Sequence, residues 1–312
     1  MMGPCGDSIS DLDPKDGENQ NGSSPKGGLP FSFSRSEILD ELRSRGFRFD
    51  PRKGQNFLFD GNLLRALVRD AEIPVGVPVL EIGPGAGTLT RVLLERNAPL
   101  IAIEIDPILV GYLRETFAVE HLEVVETDAL ETKNSLSDAL LAAIPKTEFH
   151  LVANLPYAIA SPLVCLLVES CPQMSGFSVL VQKEMADRWV AEPGSREYGT
   201  SSVLLSRLGE GRITRKVPPH AFIPAPRVDS AFVRWTRKDP APSQPDNWMS
   251  LVRTCFQGRR KSMSRLLGQL GLTGWESSGI AGGTRPDQVT PSQWAELAQI
   301  REQKIASEGQ NE

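Results

Sequence analysis

Apolar residues fall into two alternating kinds of run along this chain. Short, continuous runs rich in β-branched residues are VPVLEIG (77–83), PLIAIEID (99–106), LEVVETD (122–128), FHLVAN (149–154) and FSVLVQK (177–183). They read as strands, because a strand buried on both faces loses the polar alternation of a half-exposed one. TLTRVLLERN (88–97) and PILVGYLRETF (107–117) place apolar residues at helical spacing. The second has Pro at its first position, where the missing N–H costs nothing. Strands alternating with crossover helices predict a parallel sheet covered on both faces. GRITRKV (211–217) and VDSAFVRW (228–235) have no long helix between them and predict an antiparallel pair closing one edge. Ahead of the sheet a helix is expected from Ser34, with Ile38, Leu39 and Leu42 on one face and Gly46 as its stop.

The pattern changes twice. Residues 1–30 are rich in Gly, Ser, Pro, Asn and Asp and read as a disordered acidic tail. After Arg237 a Pro-rich linker, KDPAPSQPD (238–246), leads into helical stretches with Gly-rich breaks. The expected layout is an α/β domain over 31–237, a small all-helical C-terminal domain over 246–301 and a polar tail over 302–312. The net charge of −5 argues against a nucleic-acid partner only until it is divided. Of it, −3 lies in residues 1–30 and −1 in 301–312, so the body is nearly neutral and can carry a basic face. Four cysteines form no CxxC pair, and those at 165 and 171 read as reduced core residues. His121, His150 and His220 show no metal-ligand spacing, so no metal is expected. Without an apolar stretch of spanning length or a basic, apolar leader, the expectation is a soluble cytoplasmic protein with no membrane partner.

Candidate chemistry sits at the C-terminal ends of consecutive strands, where open α/β sheets bind ligands. EIGPGAGTLT (81–90) supplies Gly83, Gly85 and Gly87, which allow a tight turn and a close backbone approach by a ligand. No Gly-Lys-Ser/Thr follows, which excludes a P-loop. Glu104 ends the next strand, 17 residues beyond Gly87, near the spacing at which a carboxylate accepts ribose hydroxyls. Asp128 ends the third strand and can accept from an adenine amine, with Ala129 and Leu130 beside the ring. One Gly-rich turn, one acid after the second strand and no second mononucleotide half favour S-adenosyl-L-methionine over a dinucleotide.

The fourth strand ends in NLPY (154–157). An exocyclic base amine is a poor nucleophile, because its lone pair is delocalised into the ring. Two acceptors aimed at its hydrogens, the Asn154 side-chain oxygen and the Leu155 carbonyl held by Pro156, localise that pair toward the methyl group. Tyr157 stacks on the flipped base. Orientation and electrostatic preorganisation do the work, and no general base is required. Farther on, RTCFQGRRKSMSR (253–265) carries Arg253, Arg259, Arg260, Lys261 and Arg265 with no acid. On a helix these would form a basic stripe for RNA phosphates.

Together with RKGQNFLFD (52–60), LVQKEMADRWVAEPGSREYGTSSV (180–203), VPPHAFIPAPRVDSAFVRW (217–235) and FQGRRKSMSRLL (256–267), these motifs resemble the small-subunit (16S) rRNA adenine N6,N6-dimethyltransferase family over about residues 50–300. The resemblance implies a Rossmann-like class I methyltransferase sheet, mostly parallel with an antiparallel edge. It implies S-adenosylmethionine contacts at Asn56, Leu58, Gly83, Glu104, Asp128 and Asn154, and target-adenine contacts at Asn154 and Tyr157. Phe222 is similar to the family's second stacking aromatic. The implied reaction places two methyls on each of two adjacent adenosines in the 3′-terminal hairpin loop of 16S rRNA. It takes place in a 30S pre-ribosomal particle late in assembly, with the protein acting as a monomer. Two other readings stand beside it: a 23S rRNA dimethyltransferase of the resistance type, and a non-catalytic RNA-binding assembly or transcription factor on the same fold.

Overall fold

The computed structural model describes residues 34–50, 54–245 and 248–308. The acidic tail expected over 1–30 lies outside the described residues. Helix α1 (Arg35–Ser44) buries Ile38, Leu39 and Leu42, as its periodicity predicts. A two-residue strand, β1 (Phe57–Leu58), follows, and then helix α2 (Gly61–Asp70), capped by Asp60, whose carboxylate accepts from the N–H groups of Asn62 and Leu63.

The sheet then begins: β2 (Val79–Ile82), α3 (Thr88–Leu94), β3 (Leu100–Glu104), α4 (Pro107–Thr116) and β4 (Leu122–Glu126). A small hairpin, β5 (Leu130–Thr132) with β6 (Ser135–Leu136), leads into α5 (Asp138–Ala143). The chain returns through β7 (Phe149–Asn154), α6 (Tyr157–Ser170), β8 (Met174–Gln182), α7 (Lys183–Trp189) and α8 (Thr200–Leu208). Strand β9 (Gly209–Val217), the two-residue β10 (Phe222–Ile223) and β11 (Ser230–Arg237) complete the α/β part.

Seven strands form one sheet in the order β4-β3-β2-β7-β8-β11-β9. The first five run parallel, β11 is antiparallel to β8, and β9 is antiparallel to β11. The antiparallel edge expected from sequence is therefore present. Strand order reverses between β2 and β7, and the crevice outside their carboxyl ends is where this topology places a ligand. Beside the sheet, β1 and β10 form a separate ribbon that pairs Phe57 with Ile223 and Leu58 with Phe222.

Helices α9 (Trp248–Gln257), α10 (Met263–Gln269) and α11 (Pro291–Glu308) follow. The last continues seven residues past the 301 at which the sequence suggested a polar tail. Their buried Trp248, Leu251 and Trp294 belong to the same apolar cluster as Phe177 and Trp235 of the sheet. The Pro-rich stretch between is held at several points: the Lys238 ammonium donates to the Ser206 carbonyl (2.8 Å) and the Arg207 guanidinium to the Ser243 carbonyl (3.0 Å). Among the described residues, no helix is long and apolar enough to cross a membrane.

Candidate active site

A cleft enclosing about 710 Å³, part of it open to solvent, lies over the carboxyl ends of β2, β3 and β7. The Gly-rich turn after β2 forms its floor. Gly85 has φ +56°, and a Cβ there would stand 2.7 Å from Phe57 Cε1, so only glycine lets the turn close under the ring. Glu104, 5% exposed, reaches back across this turn. Its carboxylate accepts from the N–H groups of Gly85 (3.1 Å), Ile105 (2.9 Å) and Asp106 (3.0 Å). Burial raises its pKa, while those three N–H groups oppose the rise. Asp128 is exposed at the next strand end, with one carboxylate oxygen fixed by the Leu130 N–H (2.9 Å).

Asn154 closes β7 on the opposite wall. Its side-chain amide donates to the Asn56 carbonyl (2.8 Å), and this contact assigns the NH₂ group inward. Among the described residues no donor meets its Oδ1, which is left as the acceptor. Pro156 has φ −56° and directs the chain into α6, which starts at Tyr157. The half-buried Tyr157 exchanges a 2.6 Å hydrogen bond with Ser230 Oγ.

Of the residues expected from sequence, Asn56, Gly83, Gly85, Glu104, Asp128, Ala129, Asn154, Leu155, Pro156 and Tyr157 line one cleft. Two do not. Leu58 is 1% exposed with its side chain in the core, and its carbonyl accepts from Thr88 Oγ1 (2.8 Å). Phe222 is 2% exposed and pairs across the ribbon with Leu58, so its ring offers no face to a base. The cleft also uses Phe57, Ile105 and Thr127. Ile105 is half exposed beside Glu104 and follows it directly in sequence, a usable signal. Phe57 lies on a two-residue strand that carries no periodicity.

Glu81, the first residue of the Gly-rich motif, is buried beneath the turn and accepts from Thr90 Oγ1 (2.7 Å). Burial pushes its pKa up to about 8, with the nearby Glu104 charge adding to the effect. Burial thus favours its neutral form, and of these two acids only Glu104 lines the cleft. Among the described residues, no three His, Cys, Asp or Glu side chains are grouped to hold a metal ion.

The basic residues are not one helical stripe. Helix α9 stops at Gln257, and Gly258 turns the chain where a Cβ would meet Leu266 Cδ2 at 2.6 Å. Arg253 is paired with both Glu169 oxygens (2.6 and 2.8 Å). Arg259 is half-buried and committed within the protein, donating to the Arg196 carbonyl (2.5 Å) and Asp287 (3.3 Å). Arg260, Lys261 and Arg265 remain exposed and have no acidic partner among the described residues.

The seven-stranded sheet with its reversed edge and the Gly-rich, acid-marked cleft define a class I S-adenosylmethionine-dependent methyltransferase. The chain belongs to the ribosomal RNA adenine dimethylase family, whose model matches residues 46–303. The ribosomal RNA small subunit methyltransferase A of Cutibacterium acnes is 44% identical over 220 residues, covering 68% of this chain and 70% of its own length. The protein of that name from Lachnoclostridium phytofermentans is 33% identical over 283 residues, covering 86% and 96%. Among solved structures, the 23S rRNA methyltransferase ErmE superposes with a TM-score of 0.61 at 29% identity over 78% of this chain and 99% of its own. A dimethyladenosine transferase from Plasmodium falciparum, at 24% identity, gives 0.64 over 77% and 95%, a likeness of fold.

Proposed function

We propose that this protein transfers methyl groups from S-adenosyl-L-methionine to the N6 amines of two adjacent adenosines in the 3′-terminal hairpin loop of 16S rRNA. In this reading it works as a monomer in the cytoplasm, on a 30S pre-ribosomal particle late in assembly. The observation that carries the reading is the oriented Asn154: its NH₂ is held by Asn56 and its oxygen is left on a wall opposite Glu104. The relatives named small subunit methyltransferase A support the choice of rRNA.

The residues fit the cofactor. Glu104 is a buried carboxylate with lone pairs to spare for ribose hydroxyls, Asp128 suits an adenine amine, and Gly83 and Gly85 let the ligand approach the backbone. When bound, S-adenosylmethionine supplies an electrophilic methyl group on sulfur. The chain supplies the acceptor's geometry. Asn154 Oδ1 and the Leu155 carbonyl accept the two N6 hydrogens, which holds the amine lone pair out of the ring plane. Tyr157 holds the ring and, with Phe222 in the core, is the aromatic that does so. Exposed Arg260, Lys261 and Arg265 hold phosphates nearby.

Methylation of purified 30S precursor against 23S rRNA, followed by mass spectrometry of the modified nucleosides, tests the reading. Dimethyladenosine in the 16S 3′-terminal loop is expected. The ErmE likeness favours a second reading, action on 23S rRNA, and label entering 23S alone would establish that instead.

A further inference from the structure

Tyr157 need not be a tyrosine to stack on a base, since phenylalanine offers the same ring. Its hydroxyl is spent on one contact, the 2.6 Å bond to Ser230 Oγ. Ser230 is fully buried and is the first residue of β11, opposite Gln182 of β8 and Val217 of β9. The preceding residue is fixed as well, because the Asp229 carbonyl accepts from the Lys183 N–H (2.9 Å). The tyrosine is thus tethered to a rigid point on the antiparallel edge of the sheet, far from it in sequence. Tyr157 itself starts α6, where its backbone is set by Pro156 while its ring can still turn about χ1 and χ2.

We propose that Ser230 is a positioning residue of the methyltransferase: it fixes the plane of the Tyr157 ring, and so the seat of the target adenine relative to Asn154. The inference rests on the reading that Tyr157 stacks on that adenine. A tether of this kind lowers the entropy lost when a base is seated, because the ring is already held in its receiving orientation. It acts on the acceptor and leaves the cofactor contacts alone.

The experiment is a double-mutant cycle of Tyr157→Phe, Ser230→Ala and the pair, on full-length protein with 30S precursor. Each single change removes the same neutral hydrogen bond, so each is expected to lower methyl transfer at saturating cofactor by roughly 3- to 10-fold. Because they break one contact, the pair should be no worse than the worse single change. The affinity for S-adenosylmethionine should not move. With 2-aminopurine in place of the target adenine, bound wild-type protein should quench fluorescence more than either variant. Thermal melting separates loss of fold from loss of seating, and Tyr157→Phe keeps the ring volume should Ser230→Ala fold poorly. Wild-type transfer matched by Tyr157→Phe, or losses that multiply in the pair, would overturn the inference. Wild-type protein that leaves 16S adenines unmodified would overturn the functional reading instead.

Discussion

Replacing Asn154 by alanine removes two things at once, and the structure separates them. The first is the 2.8 Å donation to the Asn56 carbonyl. Its net worth is about 1 kcal/mol, with a further cost of about 1–3 kcal/mol where the carbonyl left behind stays dry. Because the cleft is partly open, water can reach that carbonyl and the lower figure applies, so affinity for the cofactor should fall by about tenfold or less. The second is the Oδ1 acceptor at the amine. Removing one preorganised polar group of this kind costs about 10²–10³ in turnover. Methyl incorporation into 30S precursor at saturating cofactor reads the second effect, and calorimetric titration with S-adenosylmethionine reads the first. A variant that turns over within tenfold of wild type would refute the role assigned to the amide, and so would a loss of turnover matched by an equal loss of cofactor affinity.

Arg259→Ala should lower the melting temperature, because it strips Asp287 and the Arg196 carbonyl of their donor. The triple change of Arg260, Lys261 and Arg265 to Glu should leave melting unchanged, weaken binding to the 30S precursor and flatten its salt dependence. Equal effects on melting would return Arg259 to the RNA surface. Gly87 has φ +70°, and a Cβ would lie 2.5 Å from Phe117 Cε2, so Gly87→Ala should destabilise by about 1–3 kcal/mol in urea titration. His150 is buried, and burial with the nearby Arg234 and Arg96 charges lowers its pKa to about 3. An unfolded histidine titrates near 6.5, so the stability tied to its neutral form is complete above that pH and drains away as pH falls toward 3. The slope is about 1.4 kcal/mol per pH unit for one proton, and His150→Gln should flatten the stability curve between pH 6.5 and 4. An unchanged slope would exclude His150 as its source.

What the sequence disclosed depended on whether a residue's role was local. Glu104 and Asn154 end buried apolar runs and Asp128 follows a β-branched edge strand, and each such run announces its own end. The antiparallel edge was readable because a parallel return would have needed a crossover helix between Val217 and Val228. That Phe222 and Leu58 lie outside the cleft lining was not readable for the opposite reason: each belongs to a two-residue strand whose partner is distant in sequence. The basic segment failed at Gly258, where the spacing of charges suggests a helix and packing against Leu266 ends it. Which arginines are committed to Glu169, Asp287 and main-chain carbonyls was invisible, because each partner comes from another element.

The ribbon of β1 and β10 has a consequence for how the two ligands sense each other. One strand carries Phe57 in the cofactor wall and directly follows Asn56, the partner of Asn154. The other, through 224–229, leads to Ser230 and the tyrosine it holds. Any free energy that one ligand gains by stiffening this ribbon is a coupling energy, and thermodynamic linkage makes it reciprocal. A cofactor that tightens RNA binding by some factor through the ribbon must be tightened by RNA by the same factor. Methyl donor and acceptor would then report on one another across a ladder only two residues long.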